Sequence, residues 1–270
     1  MSYFFNLPYK GNVKLEQIME KIKQDRKLQT YWRCANVMAI ERLGYTDHGP
    51  THVKIVANIS LRILRILIAK QVKPSIVASY GLKNEDAEVV VVLGSIFHDL
   101  GMVVIRQHHE LFSGLIAMEF LGRSLSPTYN EEESAIITCE VLHAVASNDQ
   151  QLAKQTNRPL TVEAGIVGIA DALDMEAGRA RIPFKSGKID IHSVSALSIE
   201  KVDIIENNEV NEKPITIKIR MTDSAGVFQI DELLKPRIIN SGLQQYFHVI
   251  AEITVGEKEE KERIFKKFEI

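Results

Sequence analysis

The doublet His98–Asp99, at the end of an apolar run in FHDLGM, sets an imidazole beside a carboxylate. Six of the chain's eight histidines fall between positions 48 and 143, and Asp171 follows in IADALD. Imidazole nitrogens and carboxylate oxygens, with no cysteine among them, suit a borderline divalent metal whose coordination stays open for catalysis. The ligand candidates in chain order are His52, His98, Asp99 and Asp171. Their separations put His52, the doublet and Asp171 on three different helices, so only folding brings them together. The chemistry to expect is metal-dependent hydrolysis.

Those side chains need helices to carry them. From about residue 12 to 182 apolar residues recur three and four apart, as in KLEQIMEKI and CANVMAIERLG. Pro50 suits a first helical turn, where its missing N–H costs nothing. His52 then opens the long segment HVKIVANISLRILRILIAK. NEDAEVVVVLGSIFHDLG follows, with Asn84 as the expected N-cap, and its length and acidic first turn favour a buried helix over a strand. Adjacent helical residues point about 100° apart, so His98 and Asp99 reach one ion only near a helix end, which Gly101 supplies. Further helices are expected over 109–123, 131–147 and 161–177, capped in the last two by Asn130 and Thr161. The acidic EEE at 131–133 suits a helix N-terminus.

Near Pro183 the pattern changes. KIDIHSVSALSIEKVDIIEN and PITIKIRM alternate like strands, VFQIDELLKPRIINSGL reads as a helix disturbed by Pro236, and YFHVIAEITV reads as a last strand. The expected fold is mainly α: a helical bundle over 1–185, then a small β-β-α-β domain over 186–270 that serves dimerisation or the substrate. Net charge is −2, so no global basic field recruits nucleic acid. The N-terminus lacks the pattern of a signal peptide, and no apolar stretch is long enough for a bilayer. Cys34 and Cys139 fit a reducing compartment and read as small core residues. The reading is a cytoplasmic protein without a membrane partner.

The order of a histidine, a His-Asp doublet and a distant aspartate resembles the HD superfamily of metal-dependent phosphohydrolases. HVKIV around His52, IFHDLGM and IVGIADALD carry the likeness, over roughly residues 45 to 180. The resemblance implies an all-helical fold and hydrolysis of a phosphate ester, often of a nucleotide, by a metal-bound hydroxide. It places the last ligand directly after an alanine, at Asp171, although Asp174 shares that helix face. Two-metal members add histidines between the doublet and the last aspartate. Here His109, with His108 as its neighbour and competitor, and His143 in VLHAV fill those places. Asp99 would then bridge two ions, and Asp99, His109 and His143 would be catalytic. One or two divalent ions are implied, with manganese, iron, nickel, cobalt, zinc and magnesium all open.

Met102 stands where the cyclic-dinucleotide branch usually carries a lysine, and the Gly-Tyr-Pro signature of that branch is missing, which argues against cyclic di-GMP. Phosphate contacts are expected from Arg106, Arg179, Arg181 and Lys185, since guanidinium forks match phosphate oxygens. His48, in the loop before the first ligand, would serve substrate or support a ligand. The region after Asp171 bears a fainter likeness to ribonuclease Y. The expected partner is a small, nucleotide-like phosphate ester, and the chain is expected to form a homo-oligomer. An RNA platform built on Lys213, Lys218 and Arg220 is the alternative, and a non-catalytic sensor or scaffold the third.

Overall fold

A computed structural model describes residues 6–149, 160–178, 191–209, 211–253 and 268–269. The first helices are α1 (Val13–Gln24) and α2 (Arg26–Asn36), the latter running into a π-helical turn at Val37–Arg42. Then come α3 (Pro50–Ala69), α4 (Ser75–Tyr80) and α5 (Asn84–Phe97), a 3-10 turn at Leu100–Val103, α6 (His109–Leu125), α7 (Glu131–Ala146) and α8 (Val162–Leu173).

The central element is α5. Its valines 89–92, Leu93, Ile96 and Phe97 are all fully buried, each worth roughly 1.5–3 kcal/mol of transfer free energy. Helices α3, α7 and α8 pack around it. The close crossing depends on Gly94, where an added Cβ would lie 3.1 Å from Ala144 Cβ and 3.2 Å from Val167 Cγ2. The start of α5 differs from expectation: Asn84 is already helical, and Asp86 closes the end by accepting from the Lys83 backbone N–H at 2.8 Å. Asn130 and Thr161 do cap their helices, accepting from Glu133 and Ala164 N–H.

The C-terminal region begins with α9 (Ile191–Leu197) and β1 (Ile199–Glu206). The alternation of KIDIHSVSALSIEKVDIIEN predicts strand, but Ile191–Leu197 is helical, with the Ser195 hydroxyl donating back to the Ile191 carbonyl. The strands β2 (Ile215–Met221), β3 (Phe247–Ile253) and β4 (Phe268–Glu269) complete a sheet in the order β1-β2-β3-β4. β1 and β2 are antiparallel, and β2 and β3 are parallel. A parallel pair needs a crossover. It is supplied by a π-helical stretch at Gln229–Leu234 and α10 (Lys235–Asn240), with Pro236 in the first turn of α10.

The helical bundle and the sheet meet directly. Arg62 of α3 donates to the Ile204 carbonyl of edge strand β1, and Glu176 accepts from the Val202 N–H. These contacts protect an edge that would otherwise invite strand pairing. Helix α10 packs on α8. The expected domain boundary at 185–186 lies outside the described residues. Among those residues no helix is long and apolar enough to cross a membrane. Both cysteines are exposed, against the expectation of core positions: each sits on a helix face that the bundle leaves to solvent.

Candidate metal centre

Helix α5 ends at Phe97, so His98 closes it and Asp99 leaves helical geometry at φ −103°, ψ 2°. That break turns both side chains of the doublet the same way. Gly101 contributes for a different reason than helix termination. A Cβ there would sit 1.9 Å from the His109 carbonyl oxygen, so only glycine lets the start of α6 approach. The Gly101 N–H donates to the Ser113 hydroxyl at 2.7 Å and fixes the contact.

Four side chains converge. His52 Nε2 lies 3.1 Å from His98 Nε2 and 3.1 Å from Asp171 Oδ1. Asp99 Oδ2 is 3.3 Å from each of the two Nε2 atoms, and His98 Nε2 is 3.6 Å from Asp171 Oδ1. Ligands about 2.1 Å from one ion stand roughly 3.0–3.4 Å apart at octahedral or tetrahedral angles, so these separations are those of neighbours in one coordination shell. His52, His98 and Asp171 form a cluster able to hold a metal ion.

The tautomers point to the same chemistry. His52 Nδ1 meets Asp174 Oδ2 at 2.6 Å, and His98 Nδ1 meets the Ser95 carbonyl at 2.7 Å. Each Nδ1–H is therefore the donor, and in the neutral rings both Nε2 atoms present lone pairs to the centre. Asp99 Oδ2 is buried without a hydrogen-bond donor. A buried gathering of lone pairs is costly unless a cation satisfies it. Without a metal, a proton takes that place. Burial alone would lower His98, but the Asp99 charge and the Asp171 hydrogen bond outweigh it and push the imidazole up to about 9. Burial resists ionisation of Asp99 and Asp171 as well. His98 and His48 hold Asp99 well below the carboxylate range, and Arg237 and the two histidines do so for Asp171.

The other expected residues are distributed unevenly. His109 Nε2 meets the second oxygen of Asp99, Oδ1, at 3.1 Å, and its Nδ1 meets the Arg106 carbonyl at 3.0 Å and Glu110 Oε2 at 3.1 Å. Against burial, Asp99 and Glu110 push His109 up to about 9. His108 turns away to Asp149 Oδ2 at 3.1 Å. His48 is buried, with its ring centroid 6.1 Å from that of His52 and 6.4 Å from that of His109. Arg106 lies beside His109, its guanidinium over the Tyr45 ring at 5.6 Å. His143 has Nδ1 3.4 Å from Ser147 Oγ, and its Nε2 accepts from the Thr161 N–H at 3.4 Å. Arg179, Arg181 and Lys185 lie outside the described residues.

Two residues at the centre escaped the sequence reading. Asn148 Nδ2 donates to Asp171 Oδ2 at 3.1 Å, and Arg237 Nη2 donates to the same oxygen at 2.9 Å. A signal for Arg237 was present: it stands three residues after the buried Leu234 and next to the buried Ile238, where a lone guanidinium demands a partner.

A family model, the HD domain, matches residues 51–176, a span that includes His52, His98, Asp99, His109, His143 and Asp171. The uncharacterized protein MJ1020 of Methanocaldococcus jannaschii is 41% identical over 238 residues, covering 88% of this chain and 89% of that protein. No solved structure matches. The chain belongs to the HD superfamily, whose members are generally metal-dependent hydrolases that bind divalent ions.

Proposed function

We propose that the protein is a metal-dependent phosphohydrolase or phosphodiesterase acting on a small, nucleotide-like phosphate ester. The observation that supports it most is the convergence of two imidazole lone pairs with the buried, donor-free Asp99 Oδ2 and with Asp171 Oδ1. A divalent ion held by these groups would lower the pKa of a water and offset charge on phosphoryl oxygens. The chain's own groups orient that chemistry. Asp174 and the Ser95 carbonyl hold the imidazoles, while Asp99 offers one oxygen to the cluster and the other to His109. His109 and Asp99 Oδ1 would hold a second ion. Arg106, beside His109, would contact a phosphate, with Arg179, Arg181 and Lys185 as further candidates and His48 lining the centre.

A small substrate is favoured over RNA by the charge on the sheet. Lys218 pairs with Glu252 at 3.0 Å and Arg220 with Asp203 at 3.8 Å, so its basic groups are already balanced by acids. The reading includes a homo-oligomer. The exposed apolar stripe Leu111, Leu115 and Met118 on α6 supports self-association. The two unpaired, exposed cysteines suit a reducing, cytoplasmic compartment. The test is hydrolysis of a generic phosphodiester and a nucleotide panel by protein stripped of metal and reloaded with manganese. Activity should vanish and return. Asp99→Ala should lower it by roughly three orders of magnitude, the scale of several kcal/mol of charge stabilisation. Full activity in that variant would overturn the assignment.

A further inference from the structure

We infer that the C-terminal region completes the metal centre: Arg237, together with Asn148, is a positioning residue that fixes Asp171 for the ion. The inference rests on the metal-site reading above.

Arg237 lies on α10, beyond the span 51–176 that matches the HD family, yet its guanidinium reaches the last carboxylate of the cluster. Three side chains close a triangle. Arg237 Nη2 donates to Asp171 Oδ2 at 2.9 Å, Arg237 Nη1 donates to Asn148 Oδ1, and Asn148 Nδ2 donates to Asp171 Oδ2 at 3.1 Å. Both donors occupy the same oxygen of Asp171. The other oxygen, Oδ1, is the one turned toward His52 and His98. The division of labour is that of a ligating carboxylate held from behind by outer hydrogen bonds.

Helix α8 is shaped to receive this contact. Gly168 stands three residues before Asp171 and Gly165 three before Gly168, so each lies one turn from the next along the helix. A Cβ at Gly165 would meet Ser241 Cβ at 2.8 Å, and one at Gly168 would meet Arg237 Nη1 at 3.3 Å. Their absence lets the end of α10 and the guanidinium lie close on α8. The arrangement also carries a cost. Arg237 Nε is buried without a hydrogen-bond partner, and an unsatisfied buried donor destabilises a fold. A purely structural ion pair would gain nothing from that placement. A guanidinium aimed at a metal-ligating carboxylate would.

The positive charge of Arg237 also repels a cation, which opposes ligand alignment. Alignment should win, because the guanidinium lies behind the carboxylate and Oδ1 faces the centre. Coupling of this kind is reciprocal: metal should tighten the docking of α10.

The test is Mn2+ binding by the full chain, followed by electron paramagnetic resonance, with hydrogen exchange of Lys235–Asn240 measured with and without metal. Arg237→Met should weaken binding by about 10–100-fold and Arg237→Lys by less. In the wild type Mn2+ should slow exchange in α10, and in Arg237→Met it should not. If Arg237→Met does not fold, Asn148→Ala carries the comparison and should weaken binding by about tenfold. Wild-type affinity in Arg237→Met, or in Asn148→Ala where that variant stands in, would overturn the inference, as would α10 exchange indifferent to metal. His98→Ala separates the two levels. If it binds Mn2+ as the wild type does, the metal-site reading fails. If it loses binding while Arg237→Met keeps it, only the role of Arg237 fails.

Discussion

Two buried carboxylates, Asp86 and Asp99, sit at opposite ends of α5 and live in opposite circumstances. Asp86 is 1% exposed and satisfied on every side: Lys14 Nζ at 2.8 Å, Tyr129 Oη at 2.8 Å and the Lys83 N–H at 2.8 Å. Burial opposes its ionisation, but those donors outweigh it and hold its pKa below the ordinary value. Asp99 is equally buried and keeps one oxygen without a donor, facing two imidazole lone pairs. A complete network of this kind supports a fold, whereas an incomplete one at a cluster of ligands marks where a cation belongs. The difference separates a structural charge at the start of α5 from a functional one just past its end.

That contrast can be broken at either end. After Asp99→Ala itself, the largest effect should come from Gly101→Ala, whose methyl would overlap the His109 carbonyl and push α6 from the doublet. Activity should fall by a hundredfold or more, on the order expected when a catalytic group is displaced by about 1 Å, while circular dichroism still reports a helical protein. Near-normal turnover would show that the approach of α6 does not matter.

Asp86→Ala should behave in the opposite sense. Removing one partner of a buried charge network costs about 3–5 kcal/mol, read as a lower denaturation midpoint, with activity per folded molecule preserved. Equal losses of activity and stability would erase the distinction drawn here. The stability contributed by Asp86 should be present above the unfolded pKa of about 4 and be lost as pH falls through its lower folded value. Thr161→Ala is the mildest case. It deletes the cap of α8, the helix carrying Asp171, and should cost about 1 kcal/mol without changing metal affinity.

Much of this was legible in the chain itself. His52, His98, Asp99 and Asp171 announce themselves by type, order and helical context. Asp171 and Asp174 competed for one place in the sequence; in the fold both are used, one toward the centre and one behind His52, because residues three apart share a face. The pairing of Arg237 with Asp171 is not legible in the sequence. The two residues are 66 positions apart, and the intervening crossover is set by sheet topology rather than local pattern. The helix at 191–197 reads as strand in the sequence because short alternating runs do not by themselves distinguish the two states.

The central claim is that a cation belongs among His52, His98, Asp99 and Asp171, where a proton otherwise resides. An imidazole raised to about 9 lends stability fully below its unfolded pKa near 6.5 and loses it as pH rises through 9. A metal must displace that proton. Calorimetric titration of Mn2+ into the stripped protein from pH 6 to 9 tests this directly. The affinity should rise by up to about tenfold per pH unit for each proton displaced, with proton release on binding and loss of the binding isotherm in His98→Ala. Binding that ignores pH and survives His98→Ala would contradict the account.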